Sequence, residues 1–348
     1  MILYKKIATS LICIVLCWGC QQSISTVETI RIHAQRLEQI DDPFNVYGSI
    51  FLDENAGALL KSEARGNVVI KRLDLRTGTC TDLIRKGRGP NEYLDLAITD
   101  IEPETGKFHA ISRMTSKSIA FSADGTPIAT TTLETRFLNT ISLGRYIVSY
   151  GNYFADDGLL FQLSDSTGRT IGRFGPFPDD GMPYEHQYKT MAYQGTMVAN
   201  PQRSRFAYLM DFGNVFDIYE IADDGSASLI FSIHEDTPVY EPQQNVIGVR
   251  FEQPKFHYSD AYASQRYIYA LYSGKKVEQK TNEASQRARE TPTIRVYDWD
   301  GNHVCDLLAD IPLLSICVSS DDSYLIGLYA EDYVLKCCRF DLPERLRE

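Results

Sequence analysis

Two short runs of alternating apolar and polar residues, joined by a tight turn, recur along this chain. The copies span 68–83, 119–133, 160–174, 215–233 and 293–308. Alternation with a period of two predicts β-strands whose side chains point to opposite faces of a sheet. A supersecondary unit that returns every ~40 to 50 residues is typical of a radial array of small sheets, the β-propeller.

Each recurring hairpin is preceded by two further short strands, so a four-stranded blade can be outlined. The second blade is predicted to contain strands at 96–101, 107–112, 118–122 and 127–133, with Gly106 and Gly125 supplying the positive φ that their turns require. The segment 178–189 is predicted to be a surface loop, and 274–292 a solvated loop or short exposed helix. The other blades are predicted at 47–85, at 138–175, at 191–233, from 256 and from 313.

The last blade lacks an outer strand. Its predicted strands are 313–318, 324–329 and 333–340, after which the chain ends. Residues 27–33, with apolar Val27, Ile30 and Ile32, belong to no blade, and pairing them outside 333–340 would cover a bare sheet edge. We therefore predict an all-β fold, a six-bladed β-propeller of four-stranded antiparallel blades, closed by the N-terminal strand joining the last blade.

The first nineteen residues are typical of an export signal. Lys5 and Lys6 precede an uncharged run at 7–18, which as a helix would span only ~18 Å, short of the ~30 Å membrane core. Gly19 before Cys20 resembles a bacterial lipoprotein signal, which implies lipid on Cys20; an ordinary cleaved secretory peptide is the alternative. The predicted organisation is a signal peptide at 1–19, a tether at 20–25, the propeller at 26–342 and a C-terminal tail at 343–348.

The formal net charge of −11 makes nucleic acid a poor partner, and an anionic membrane would also repel the protein. Membrane attachment is therefore expected through the lipid, in the cell envelope. Residues 21–24 lack the acidic residues that surface-exported lipoproteins of Bacteroidota often carry there, which favours a periplasm-facing location. A glycan, a peptide or an envelope protein is the expected kind of partner, and the oligomeric state stays open.

Five cysteines would remain besides Cys20. Their odd number and the absence of a CxxC spacing argue against a zinc site and a full disulfide framework. The five are Cys80, Cys305, Cys317, Cys337 and Cys338. Cys337 and Cys338 are adjacent on a predicted strand, so their side chains point to opposite faces, and we expect both to be small buried hydrophobic residues. One oxidised pair among the five stays open.

No catalytic residue is predicted. The chain has no GxSxG, HExxH, P-loop or GxGxxG motif, and its six histidines are scattered singly. The sharpest cluster lies between the first two blades, where Arg88 could bind a carboxylate or sugar, Glu92 could hold Arg88, and Tyr93 could stack on a ligand. The alternative is that these residues only fix a tight crossing. The candidate ligand-binding residues are Lys86, Arg88, Glu92 and Tyr93.

The same segment carries a family resemblance. Residues 86–93, KGRGPNEY, resemble the G-x-GP-x-E-[FY] turn of six-bladed propellers of the TolB-like and NHL-like kind, with Asn91 replacing the usual glycine. Residues 272–274 with 294–302 are similar to a fifth-blade pattern in six-bladed propeller lipoproteins of Bacteroidota. The resemblance covers roughly 26–342 and implies a propeller without a settled biochemical activity.

Three functions follow as alternatives. The first is a lipid-anchored binding or scaffolding module with no cofactor. The second is a calcium-dependent hydrolase or lyase at the central channel mouth, because Asp53 and Asp100 lie where six-bladed hydrolases of the lactonase type present calcium ligands. The third is a structural partner in an envelope assembly that uses 274–292 or the blade rims rather than the channel. The fold alone does not choose among them.

Overall fold

The structure is a computed structural model that describes residues 27–40, 43–44, 48–278, 281–332 and 334–347. The signal peptide, Cys20 and the tether lie outside these residues, as do positions 47, 333 and 348, which bound predicted elements. Within the described ranges, no helix is long and apolar enough to cross a membrane.

The chain begins with β1 (Thr29–Ile32) and β2 (Gln35–Arg36), which join later blades, and then forms three consecutive four-stranded antiparallel sheets. The first blade is β3 (Ile50–Asp53), β4 (Ala58–Ser62), β5 (Val68–Asp74) and β6 (Cys80–Arg85). The second is β7 (Ala97–Ile101), β8 (Phe108–Ser112), β9 (Lys117–Phe121) and β10 (Pro127–Thr132). The third is β11 (Asn139–Leu143), β12 (Tyr146–Tyr150), β13 (Leu159–Asp165) and β14 (Thr170–Pro176).

Insertions separate the later blades. Helix α1 (His186–Ala192) leads to the fourth blade, which is β15 (Gly195–Ala199), β16 (Arg205–Met210), β17 (Asn214–Ile221) and β18 (Ala227–Glu235). The hairpin β19 (Tyr240–Pro242) and β20 (Val249–Phe251) precedes the fifth, which is β21 (Lys255–Ala263), β22 (Tyr267–Lys276), helix α2 (Asn282–Arg289), β23 (Thr291–Asp298) and β24 (His303–Leu313). The sixth is β25 (Ser315–Val318), β26 (Tyr324–Glu331) and β27 (Val334–Asp341), followed by a 3-10 turn, Glu344–Leu346.

The predicted six-bladed propeller is confirmed. The four strands of the second blade lie within one residue of their predicted limits, and Gly106 and Gly125 have φ of 68° and 83°. The predicted loop at 178–189 is partly wrong, because α1 begins inside it. Helix α1 has no side-chain cap, but it buries Thr190 and Ala192, so tertiary packing decides its formation. Helix α2 matches the predicted short helix.

All long connections lie on one face of the ring. Strand direction alternates within each blade, so the first and third strands of every blade begin on one face, here called the loop face, and end on the other, the turn face. Every turn on the turn face has six residues or fewer, by the strand limits. The loop face carries the connections 86–96, 177–194, 236–254 and 277–290.

The six inner strands β3, β7, β11, β15, β21 and β25 contact one another in sequence, and β25 returns to β3, so the ring is closed around an axis. The N-terminal chain joins the last blade, as predicted, through β2, which pairs antiparallel with β27 at Gln35↔Arg339 and Arg36↔Cys338.

The residues expected to close the ring were wrongly assigned. Residues 27–33 were predicted to pair outside 333–340, but β1 pairs in parallel with β24 and becomes a fifth strand of the fifth blade. Asp310 fixes the step between β1 and β2, because its Oδ1 accepts a hydrogen bond from the backbone N–H of Ala34 at 2.9 Å. The apolar alternation of Ile30 and Ile32 predicts a strand, but it does not choose between the two available sheet edges, β24 of the fifth blade and β27 of the sixth.

Aromatic side chains fill the space between the third and fourth blades. Phe161 is fully buried, and its ring centroid lies 5.3 Å from those of Phe206 and Tyr208 and 5.4 Å from that of Tyr219. These edge-to-face contacts between aromatic rings therefore pack the two twisted sheets against each other.

The five described cysteines are all free. Cys80 is exposed, and Cys305, Cys317, Cys337 and Cys338 are buried. Burial raises the pKa of the Cys337 thiol to about 12, so this thiol is protonated and inert at neutral pH. The four buried cysteines therefore pack as small hydrophobic residues.

Candidate functional site

A cavity of about 550 Å³ lies on the propeller axis. All six blades line it, and its volume falls within the usual range for small-molecule sites. Four first-to-second-strand turns contribute residues, so the cavity reaches the turn face. These residues are Glu102–Thr105, Pro201 and Arg203, Ser264 and Gln265, and Ser320 and Asp321.

The cavity has apolar walls and a polar rim. Ile101 and Met197 are 4% and 3% exposed, and Val318 is fully buried, so these walls are well packed behind the lining surface. The polar lining residues concentrate in the turns. A ligand could therefore bury an apolar body between the inner strands while a polar group stays at the rim.

An ion pair between non-adjacent blades lies at the cavity. The Arg203 guanidinium, on the turn after β15, donates to Oδ2 of Asp100, near the end of β7. Arg203 Nη1 also lies 3.4 Å from the carbonyl oxygen of Ser142 in β11, so Arg203 ties three blades together. Burial lowers the pKa of Arg203, yet an arginine keeps its charge at any physiological pH.

The turn at 200–204 holds Arg203 in place. Oδ1 of Asn200 accepts hydrogen bonds from the backbone N–H groups of Ser204 at 3.0 Å and Arg205 at 2.8 Å. Arg203 has a φ of 58°, in the left-handed region that non-glycine residues rarely occupy. The structure therefore constrains the backbone at the residue whose side chain reaches Asp100.

Three more carboxylates stand at the rim. Glu102 pairs with Lys107 at 3.0 Å. Asp321 is exposed, and a hydrogen bond from Ser323 lowers its pKa. Glu104 is exposed and has no ion-pair partner within the described ranges. Of the charged side chains that line the cavity in the described part of the chain, Arg203 alone is a cation.

The two residues suggested as calcium ligands are not brought together. Asp100 lines the cavity, whereas Asp53 is buried against Arg72, with 3.1 Å between Asp53 Oδ2 and Arg72 Nη2. Asp53 Oδ1 also accepts a hydrogen bond from the backbone N–H of Ala56, which fixes the β3–β4 turn. No group of three or more His, Cys, Asp or Glu side chains suited to a metal ion occurs among the described residues.

The segment 86–93 lies on the loop face and does not line the axial cavity. Oε2 of Glu92 accepts a hydrogen bond from the backbone N–H of Gly89 at 2.9 Å, and no ion pair joins it to Arg88 in the part of the chain that is described. Asn91 has a φ of 59°, so the left-handed turn is kept without glycine. Tyr93 packs edge-on against Phe121, and Lys86 and Arg88 are both exposed. Their proposed contact with a ligand stays a prediction.

A second cavity, of about 310 Å³, opens between the fourth and fifth blades on the loop face. Asp236 lies in it, 2.6 Å from Lys255 Nζ and 3.0 Å from His257 Nε2. Burial is the main cause that lowers the pKa of His257 to about 4, so this histidine is neutral at pH 7. Asp236 and Lys255 therefore form an ion pair of zero net charge beside an uncharged imidazole.

Sequence reasoning missed Arg203 and the acidic rim. Nothing in the sequence of residues 200–204 indicates that Arg203 crosses a blade to reach Asp100. The only local signal near Arg203 is Asn200-Pro201, which indicates a turn rather than a site.

The fold and its axial cavity define a six-bladed propeller with room for a ligand. The family model for the TolB-like 6-blade propeller-like proteins matches residues 77–321, so the chain belongs to that family. No curated protein matches the sequence.

Solved structures resemble this chain at low sequence identity. A member of the DUF4221 family from Bacteroides vulgatus is similar, with a TM-score of 0.55, 12% identity and coverage of 91% of this chain and 98% of that one. A protein from Bacteroides fragilis that is described as exported has a TM-score of 0.49, 13% identity and coverage of 90% and 99%. Regucalcin from Agrobacterium tumefaciens, a calcium-binding protein, has a TM-score of 0.49, 9% identity and coverage of 91% and 98%.

Proposed function

We propose that this protein is a binding module of the cell envelope that takes a small ligand, or a short segment of a larger one, into its axial cavity. The observation that carries this proposal is the cavity itself, which all six blades line and which joins apolar walls to a polar rim. Propellers often bind at the axis because inner strands from every blade converge there.

The lipid on Cys20 would fix which face meets the membrane. Strand β1 runs in the same direction as β24, from the turn face to the loop face, so the first described residue, Val27, lies at the turn face. The pair between Glu28 and Arg345, 2.5 Å apart, lies at the same end. The stretch from Cys20 to Thr26 can span at most about 25 Å, so the turn face and the cavity mouth would face the bilayer.

A thermal-shift screen tests the binding function. The mature protein, purified in detergent, is heated with divalent metals, glycans and peptides in separate arms, because a ligand that binds only the native state raises the melting temperature. We expect a glycan or peptide to raise it. The proposal fails if no arm does and none of the small organic probes described below binds, whereas a shift with calcium alone would favour the hydrolase alternative.

Two variants locate the binding. Ala263→Phe places a large side chain at the cavity lining and should abolish the shift. Arg88→Ala removes an exposed charge on the loop face and should preserve it. The reverse result would move the site from the axis to the segment 86–93.

A further inference from the structure

We propose that the ligand of the axial cavity is an organic cation, in which an ammonium or guanidinium group is joined to a compact apolar body. This inference rests on the proposed binding function and assigns the chemical class of the ligand. Its basis is the charge of the cavity, the position of the lining cation Arg203, and the apolar walls.

The lining charges are strongly unequal. Asp100, Glu102, Glu104 and Asp321 are carboxylates, and Arg203 is their only cationic counterpart on the lining that the described residues form. Lys107, which does not line the cavity, neutralises Glu102. A concave site with low-dielectric walls focuses the field of such charges and raises the local concentration of ions of opposite sign.

Arg203 is unavailable to an anionic ligand. Its guanidinium already donates to Asp100, and the side chains of the pair are only 18% and 15% exposed. An anion that paired with the guanidinium of Arg203 would leave the carboxylate of Asp100 largely buried and unpaired. It would also have to pass the carboxylates of Glu104 and Asp321 at the rim. Leaving a buried charge without its partner is costly, so anionic ligands are disfavoured.

A cation meets the opposite situation. Arg203 uses Oδ2 of Asp100, and Oδ1 accepts no hydrogen bond from any described residue. An ammonium group can donate to Oδ1 without displacing Arg203, which makes a charge-assisted hydrogen bond in a partly desolvated place. Glu104 and Asp321, which are exposed, would attract the cation before it enters.

The apolar walls select the rest of the ligand. Phe51, Val198 and Ala263 are partly exposed apolar residues on the lining, so a fully polar cation would lose hydration there without compensation. The same chemistry is offered by a free aromatic or alkyl amine and by a lysine or arginine next to an apolar residue in a peptide. The two sources differ in size and are separated below.

Three probes with the same apolar body test the charge preference by isothermal titration of the mature protein: 4-phenylbutylamine, 4-phenylbutanol and 5-phenylpentanoate. We expect the amine to bind at least about tenfold more tightly than the alcohol, because only the amine donates a charge-assisted hydrogen bond to Asp100. The carboxylate should bind most weakly of the three. A peptide Phe-Lys-Phe, blocked at both ends, is compared with its norleucine counterpart. Tighter binding of the peptide than of the amine would identify a peptide as the source.

Variants assign the preference to the cavity. Asp100→Asn should reduce amine binding about tenfold and leave alcohol binding unchanged. That variant also leaves Arg203 unpaired, so the double variant Glu104→Gln/Asp321→Asn, which changes exposed residues, gives a second measurement. It should lower the affinity for the amine and reduce the salt dependence of that affinity. Asp156→Asn, the matched control, removes an exposed carboxylate in the loop-face connection between β12 and β13 and should change nothing.

The outcomes separate the two proposals. Equal binding of amine and alcohol, both lost in Ala263→Phe, would overturn the cationic ligand and keep the binding function. Tightest binding of the carboxylate would likewise overturn the cationic class. Failure of every probe here and of every arm of the thermal-shift screen would overturn both.

Discussion

The carboxylate of Asp260, on the inner strand of the fifth blade, accepts a hydrogen bond from the hydroxyl of Ser315 on the inner strand of the sixth. Ser49, just before the first blade, donates to the other oxygen at 2.9 Å. One buried side chain therefore links the three blades that meet where the ring closes.

The buried carboxylate of Asp260 should make the free energy of unfolding depend on pH. Burial raises the pKa of Asp260 to about 6, above its unfolded value near 4, so the native state binds the proton more tightly. The stabilisation is fully present below about pH 4 and is lost as the pH rises through about 6, by roughly 3 kcal/mol, since a tenfold change in proton affinity corresponds to about 1.4 kcal/mol.

Urea unfolding of the wild type and Asp260→Asn between about pH 4 and 7 checks this expectation. The difference between their free energies of unfolding should shift in favour of the variant as the pH rises. The comparison isolates Asp260 from Asp211, whose pKa burial also raises to about 6. Parallel pH curves would show that Asp260 does not titrate in this range.

Gly106→Ala should destabilise the protein more than Gly57→Ala. Both glycines have left-handed φ, 68° and 59°, so each alanine costs about 1–2 kcal/mol. At Gly106 a Cβ would also lie 2.6 Å from Oδ2 of Asp53, whereas at Gly57 nothing lies within 4 Å in the described part of the chain. The extra crowding should add about 1–3 kcal/mol in urea unfolding. Equal losses would mean that Asp53 moves aside freely.

Ile32→Ala tests the attachment of β1 to the fifth blade. Ile32 is 4% exposed and packs in the core shared by the fifth, sixth and first blades, so the change should cost about 2–5 kcal/mol. Arg31→Ala, on an exposed neighbour in the same strand, should stay within about 0.5 kcal/mol. If both variants unfold like the wild type, β1 does not stabilise the ring.

Cys20→Ala should release the protein from membranes, because lipid is the only attachment expected for so acidic a chain. Membrane and soluble fractions are compared by immunoblot. Cys80→Ala, which removes an exposed cysteine of the propeller, should leave the protein with the membrane. Retention of the Cys20 variant would contradict the anchor.

The periodic hairpins predicted the number of blades and most strand limits, because strand patterning and turn residues are local properties. The same reasoning failed for α1, where burial of Thr190 and Ala192 outweighs weak local signals. It also assigned residues 27–33 to the wrong blade. Strand pairing joins residues far apart in the chain, and alternation does not distinguish one open edge from the next.

Local patterning along the chain was enough to define the propeller, its six blades, the need for an N-terminal strand and the excess of acidic charge. Three features emerged from the folded ring alone: Arg203 reaches Asp100 two blades away, Asp53 pairs with Arg72 rather than facing the axis, and the cavity opens on the face of the short turns. Blades are specified by neighbouring residues, whereas the axial site forms where inner strands from distant parts of the chain converge.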